Sequence, residues 1–149
     1  MKRLQLRSKD ASKELEKYSL EIAKKNQVEL LEENNLKLLL INKEPAFFWY
    51  NDNWVPTLKY LQHHPLLKKI TIDMGAVKFI VNGADVMRPG ITEMDQGIQK
   101  DDFIVIIDQN NKKPLAVGIA LYTTEEMKAL SKGKVIKTIH YVGDEVWIG

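Results

Sequence analysis

No cysteine occurs in the 149 residues, and proline and glycine are sparse, at five and eight. The missing thiols exclude disulfide staples, thiolate zinc sites, cysteine nucleophiles and haem attached through cysteine. Long apolar runs are also absent. The longest, such as residues 103–107, fall far short of the ~18 residues of a membrane span, so no membrane association is expected. Residues 1–8 carry charge without an apolar stretch, so no secretory signal is expected there. The expected compartment is the cytoplasm. Charge of one sign is scarce as well: 22 Lys and Arg face 20 Asp and Glu, for a net charge of +2. Residues 1–68 hold 12 basic against 9 acidic side chains, and residues 69–149 hold 10 against 11. An anion site in the second half must therefore be a local patch. What is present, 44% hydrophobic and 28% charged residues, describes an ordinary globular chain long enough to bury a sizeable core.

Leu4 and Leu6 alternate with polar neighbours, which predicts a strand over residues 3–7. Ser8 and Asp10 suit a helix start. Ala11, Leu15, Tyr18 and Ile22 follow at spacings of four, three and four, an apolar stripe on a helix over about residues 9–25. The stripe reads as a face docked on the chain's own sheet; a partner-binding face is the alternative. Residues 28–31, 36–41 and 46–50 read as strands between polar turns. Residues 56–61 read as a short helix with proline in its first turn. Together they predict a small N-terminal α/β domain over residues 1–68.

Residues 69–149 are dense in turns. Ile70 and Ile72 alternate with polar residues, and residues 77–81 form a second apolar strand-like run. Asn82-Gly83 ends that run, one helical turn fits residues 84–87, and Pro89-Gly90 stops it. Residues 103–107, 115–122 and 135–141 read as further strands. Thr123 with Glu126 three positions later predicts a capping box opening a short helix over 124–131. The expected architecture is α+β, with a compact, mainly antiparallel β-barrel over residues 69–149.

Catalytic constellations are missing. There is no Gly-x-Ser-x-Gly elbow, P-loop, His-Glu-x-x-His or dinucleotide fingerprint. Glu125-Glu126 sits in a helix's first turn, where negative charge offsets the dipole. The adjacent pair His63-His64 would point about 100° apart on a helix and has no carboxylate nearby, so no metal site is expected. Trp49, Tyr50 and Trp54 read as core aromatics, with base stacking as the alternative. The reading is therefore a non-enzymatic chain without a cofactor.

One stretch suggests chemistry. Glycine at 75, 83 and 90 lets a ligand approach the backbone. A helical turn beginning near Gly83-Ala84 would present free amides to phosphate. Lys78 and Arg88 would flank them, and Lys132, Lys134 and Lys137 could add charge. Tight-turn geometry alone is the competing explanation.

Asp73-Met74-Gly75-Ala76-Val77-Lys78-Phe79 and Gly83-Ala84-Asp85-Val86-Met87-Arg88-Pro89-Gly90-Ile91 resemble the signature of PUA domains, RNA-binding β-barrels. The resemblance continues through Ala116-Val117-Gly118, Lys132-Gly133 and His140-Tyr141 to Asp144 and Trp147. Upstream, residues 56–65 resemble the segment leading into the PUA domain of the MCT (malignant T-cell amplified sequence) family. The cysteine-free, Lys- and Ile-rich composition leans toward an archaea-type homologue. The resemblance implies an RNA-binding protein of the translation apparatus that contacts tRNA, at its 3′ end, or rRNA. It also implies action on the small ribosomal subunit during initiation or recycling, with a separate initiation-factor-like protein partner such as the density-regulated protein. An RNA-recruitment accessory for an RNA-modifying enzyme is the alternative. The implied RNA-binding residues are Gly75, Ala76, Val77 and Lys78, then Gly83, Ala84, Asp85, Met87, Arg88, Pro89 and Gly90, and finally His140 and Trp147, beside the cations Lys132 and Lys134.

Overall fold

Apolar residues alternating between asparagine-rich turns fold the first third of the chain into an antiparallel meander. In the computed structural model, which describes residues 2–148, β1 (Lys2–Leu6), β2 (Val28–Glu33), β3 (Leu36–Ile41), β4 (Glu44–Tyr50) and β5 (Asn53–Pro56) lie side by side in that order. Asn42 (φ 52°) with Lys43 (φ 73°), and Asn51 (φ 45°) with Asp52 (φ 61°), are left-handed in their hairpin turns. A two-residue turn that follows the strand twist requires this.

The sheet has two apolar faces. α1 (Ser8–Glu14) covers one, packing Ala11 and the following Leu15 against Leu39, Phe47 and Trp54. The helix is much shorter than the stripe predicts. The chain makes a 3-10 turn over Glu16–Tyr18 and reverses at Ser19, whose φ is 54°. Ile22 N–H then donates to Ser12 Oγ at 2.9 Å, folding Ile22 back into the same core. The stripe residues do meet, but tertiary hydrogen bonds replace the helical ones. Pro56 likewise ends β5 and does not open the next helix. α2 (Leu58–Leu61) starts from Thr57, whose Oγ1 accepts from Tyr60 N–H at 3.2 Å.

The second sheet contains β6 (Lys68–Ile72), β7 (Val86–Met87), β8 (Ile91–Met94), β9 (Phe103–Asp108), β10 (Pro114–Ala120) and β11 (Lys134–Tyr141). Its spatial order is β7-β11-β10-β9-β6-β8; the β6–β9 pair is parallel and the others antiparallel. β7 and β8, the two edges, are joined by the three-residue 3-10 turn Arg88–Gly90. The sheet must therefore curl until its edges nearly meet, and its interior is an apolar core of Ile70, Ile72, Ile104, Ile106, Ala116 and Ile136. α3 (Met74–Ile80), α4 (Thr124–Ala129) and α5 (Glu145–Ile148) complete the fold.

Two local expectations change here. The apolar run 77–81 lies on α3 and its end, because Asp73 caps that helix: its Oδ1 accepts from Ala76 N–H at 2.9 Å. The helical turn expected at 84–87 moves to Arg88–Gly90, since Val86 and Met87 pair with Ile136 and Lys134. The capping box at α4 forms as read, with Glu126 N–H to Thr123 Oγ1 at 3.1 Å and Thr123 N–H to Glu126 Oε1 at 2.9 Å.

The free face of the first sheet packs on the second. Leu38, Leu40, Phe48, Val55, Leu58 and Leu61 share one buried cluster with Val105, Ile107, Val117 and Val146. On β9, Ile104 and Ile106 point into the curled sheet while Val105 and Ile107 point into this seam. Burial on both faces explains the unbroken apolar run at 103–107.

Candidate nucleic-acid interface

The three signature glycines have different jobs. Gly83 has φ +90°, and a Cβ there would sit 2.8 Å from the Tyr141 ring. Its amide donates to Ile80 O and that of Ala84 to Phe79 O, at 2.9 and 3.0 Å. Arg88 N–H is likewise bonded to Gly133 O at 2.8 Å. The bare-backbone cradle expected from Gly83-Ala84 is therefore corrected: those amides close the turn after α3. At Gly90 a Cβ would meet the Ala76 Cβ at 3.2 Å, so this glycine lets the 3-10 turn pack against α3. Gly75 is exposed, and a Cβ there would make only an ordinary contact with Asp73.

In place of the cradle is an apolar notch of about 600 Å³, lined by Ala76, Phe79, Ala84, Asp85, Val86, Met87, Gly90 and Lys134. Phe79 and Met87 are 57% and 50% exposed, and Met74, at the start of α3, is 41% exposed. Large apolar side chains are seldom left so open beside a concave surface without a ligand or partner to cover them. Phe79 is a residue the sequence reading did not select. Read as a helix capped by Asp73, residues 74–80 place Phe79 three positions after Ala76, away from the buried Ile80.

Charge lies at the rim. Lys78 is exposed, with its Nζ 5.1 Å from the Phe79 ring centre. Lys134 Nζ lies 3.3 Å from Asp85 Oδ2, and Asp85 Oδ1 accepts from Thr138 N–H at 2.9 Å. Asp85 is thereby held in place, and it holds the lysine beside the notch. Arg88 faces elsewhere: its Nε donates to Met127 O at 2.6 Å and its Nη1 to Ile91 O at 3.4 Å, tying α4 to β8. Val77 is half-buried against the barrel core, whereas Pro89 and Lys132 are exposed.

His140 and Trp147 do not join this constellation. The His140 side chain is fully buried. Its Nε2 accepts from Leu58 N–H at 3.1 Å, its Nδ1 donates to Asp144 at 2.9 Å, and Phe48 packs against its ring. That residue staples the two sheets together and has no free polar atom for a ligand. Burial pushes the Asp144 carboxyl upward, but the hydrogen bonds from His140 and from the Trp147 and Tyr141 amides hold it below the ordinary carboxylate range. Trp147 packs in the same seam, under Lys59, whose Nζ is 5.0 Å from its ring. Trp49 and Trp54 meet edge to face with ring centres 5.0 Å apart, and Trp54 is buried in the first core. Among the described residues no three His, Asp or Glu side chains group as metal ligands.

Comparison with known proteins adds an independent line. Residues 68–142 match the PUA domain model, and residues 2–64 match a domain of unknown function, DUF1947. An uncharacterised protein of Methanocaldococcus jannaschii is 46% identical over 85% of this chain and 78% of its own length. Translation machinery-associated protein 20 of Saccharomyces cerevisiae is 35% identical over 85% of this chain and 74% of its own. The malignant T-cell-amplified sequence 1 protein of Rattus norvegicus is 30% identical over 83% and 71%. A conserved PUA domain protein from Thermoplasma acidophilum superposes with TM-score 0.84 at 28% identity, covering 99% of this chain and 98% of that one. An H/ACA RNP bound to a substrate RNA superposes with TM-score 0.52 at 27% identity, covering 64% of this chain and 29% of that one. A PUA barrel behind a DUF1947 unit, at these identities and coverages, makes this chain a member of the malignant T-cell-amplified sequence family of PUA domain proteins.

Proposed function

We propose that the chain binds RNA in translation and takes an unpaired RNA end, of the tRNA 3′ type, into the notch beside α3. The carrying observation is the open Phe79 and Met87 pair, with Lys134 in the notch wall and Lys78 beside the Phe79 ring. A nucleobase offers a flat apolar face to Phe79, and its phosphates are attracted by the two lysines. A double helix would hide its base faces, so the notch suits a strand end. The relatives named for the translation machinery support this setting, and the RNA-bound H/ACA structure supports the ligand class. Within it, the chain acts at the small ribosomal subunit in the cytoplasm, with a separate initiation-factor-like protein and without catalysis of its own.

Filter binding to tRNA with and without its terminal CCA tests the reading. Phe79→Ala should weaken binding of intact tRNA by about 1–3 kcal/mol, the worth of one stacked base, and leave the truncated form nearly unaffected. Equal affinity of the wild-type chain for both tRNAs would remove the 3′-end reading.

A further inference from the structure

We propose that the groove where β1 meets α1 is a second RNA contact, which grips backbone phosphates and leaves the bases unread. The proposal rests on the RNA-binding reading above but uses a different surface. The groove encloses about 550 Å³, and Arg7, Lys9 and Lys24 line it with the neutral Gln5, Ser8 and Asn26. No carboxylate is in its lining. Asp10 lies beside it and accepts from Arg7 Nε at 3.1 Å, which leaves the two terminal nitrogens of that guanidinium for a ligand.

Other clefts on the molecule mix their charges. The seam cleft sets Lys17 and Lys68 against Asp101 and Asp102. A cleft beside β8 sets Lys69, Lys112 and Lys128 against Glu93 and Asp95. The notch itself balances Lys134 with Asp85. Even counting Asp10, which engages Arg7 Nε, the β1–α1 groove keeps a larger excess of cations over carboxylates than these clefts, so it draws a polyanion more strongly than they do. Residues 2–25 hold eight basic and four acidic side chains, which concentrates the positive charge of residues 1–68 at this end.

The cations also sit on a fixed frame. The loop bearing Lys24 is tied at both ends, by Ile22 N–H to Ser12 Oγ at 2.9 Å and by Gln27 N–H to Asn42 Oδ1 at 2.9 Å. Asn42 Nδ2 donates to Asn26 Oδ1 at 3.1 Å and fastens the groove wall to the β3–β4 turn. Little loop ordering is then left for binding. Leu6 of the lining is half-buried and Leu4, two residues earlier on β1, is exposed, so the apolar surface at this end is two side chains and not the long apolar face of a membrane-surface helix.

The test measures affinity of the full chain for unfractionated tRNA, intact and lacking its 3′ trinucleotide, across a series of KCl concentrations. Combining Arg7→Gln, Lys9→Gln and Lys24→Gln should flatten the log affinity against log salt plot by about 2–3 and weaken low-salt binding roughly tenfold or more. The preference for the intact 3′ end should survive. Lys69→Gln, Lys112→Gln and Lys128→Gln together remove equal charge from the mixed cleft and should change the slope far less. An unchanged melting profile establishes that each variant folds. Equal slopes for the wild type and the groove variant overturn the proposal and leave the notch standing. Loss of 3′-end preference in the wild type with a flattened groove slope removes the notch reading and sustains the groove. Failure of the wild type to bind tRNA at any salt overturns both. Groove-dependent binding to phosphatidylserine vesicles with an unaltered tRNA slope assigns the surface to a membrane and also overturns the proposal.

Discussion

At the residue scale, His140 and Asp144 show how side chains of a family signature can hold the fold together. The pair joins β11 to the first residue of α2 through one ring, with both nitrogens engaged. Because the Asp144 carboxyl is held below its ordinary value in the folded chain, its contribution is present above the unfolded value of about 4 and is lost as pH falls through the folded one. Urea midpoints should therefore drop on acidification below about pH 4. Asp144→Asn should flatten that part of the profile; a wild-type slope in the variant would contradict the assignment. Glycines 83 and 133 offer a second measurement, since both have φ near +90° but only Gly83 faces a ring. Gly83→Ala should cost about 2–3 kcal/mol and Gly133→Ala about 1 kcal/mol in urea unfolding. The difference isolates the clash with Tyr141 from backbone strain.

At the element scale, legibility followed the range of the forces involved. The strands β2 to β4 are legible because apolar runs between asparagine turns are local signals, and the Thr123/Glu126 box is legible for the same reason; β5 is not, because four residues ending in Pro56 read as turn and helix start. Residues 77–81 were misread because Val-Lys-Phe-Ile-Val suits a strand by propensity, while the cap that makes it a helix is a single carboxylate four positions upstream. Asp73→Ala should accordingly lower stability by about 1 kcal/mol, measured by thermal unfolding, with loss of helical ellipticity confined to one short element. The stripe from Ala11 to Ile22 was correct in membership and wrong in conformation, since Ser12 and Ser19 redirect the chain through contacts that spacing does not encode. Of the candidate site, Ala76, Ala84, Met87 and Lys134 do meet around one notch. The bonds of Arg88 to Met127 and Ile91 are not legible in the sequence, because those partners become neighbours only when the chain folds. Phe79 becomes legible as a site residue only once residues 74–80 are a helix, which sets it apart from the buried Ile80.

At the scale of the whole molecule, the seam decides behaviour. Val105, Ile107, Val117 and Val146 are buried by the first sheet, and each such side chain contributes about 1.5–3 kcal/mol when removed from water. The two sheets should therefore unfold together. Tryptophan fluorescence, from Trp49 and Trp54 of the first sheet and Trp147 of the seam, should change together with the circular dichroism of the whole chain. Two separated transitions would show that the seam is weaker than its apolar content implies. The curled sheet has a different consequence, because its terminal strands β7 and β8 are bound into one turn. Runaway self-templating between molecules needs an unsatisfied strand, and that unit has little to offer. The remaining rims belong to the meander. One is β1, bearing Lys2 and Arg3, and the other is β5, ending in Pro56. Like-charge repulsion on one and a missing amide donor on the other discourage fibril growth, so concentrated samples should show no rise in thioflavin fluorescence with time.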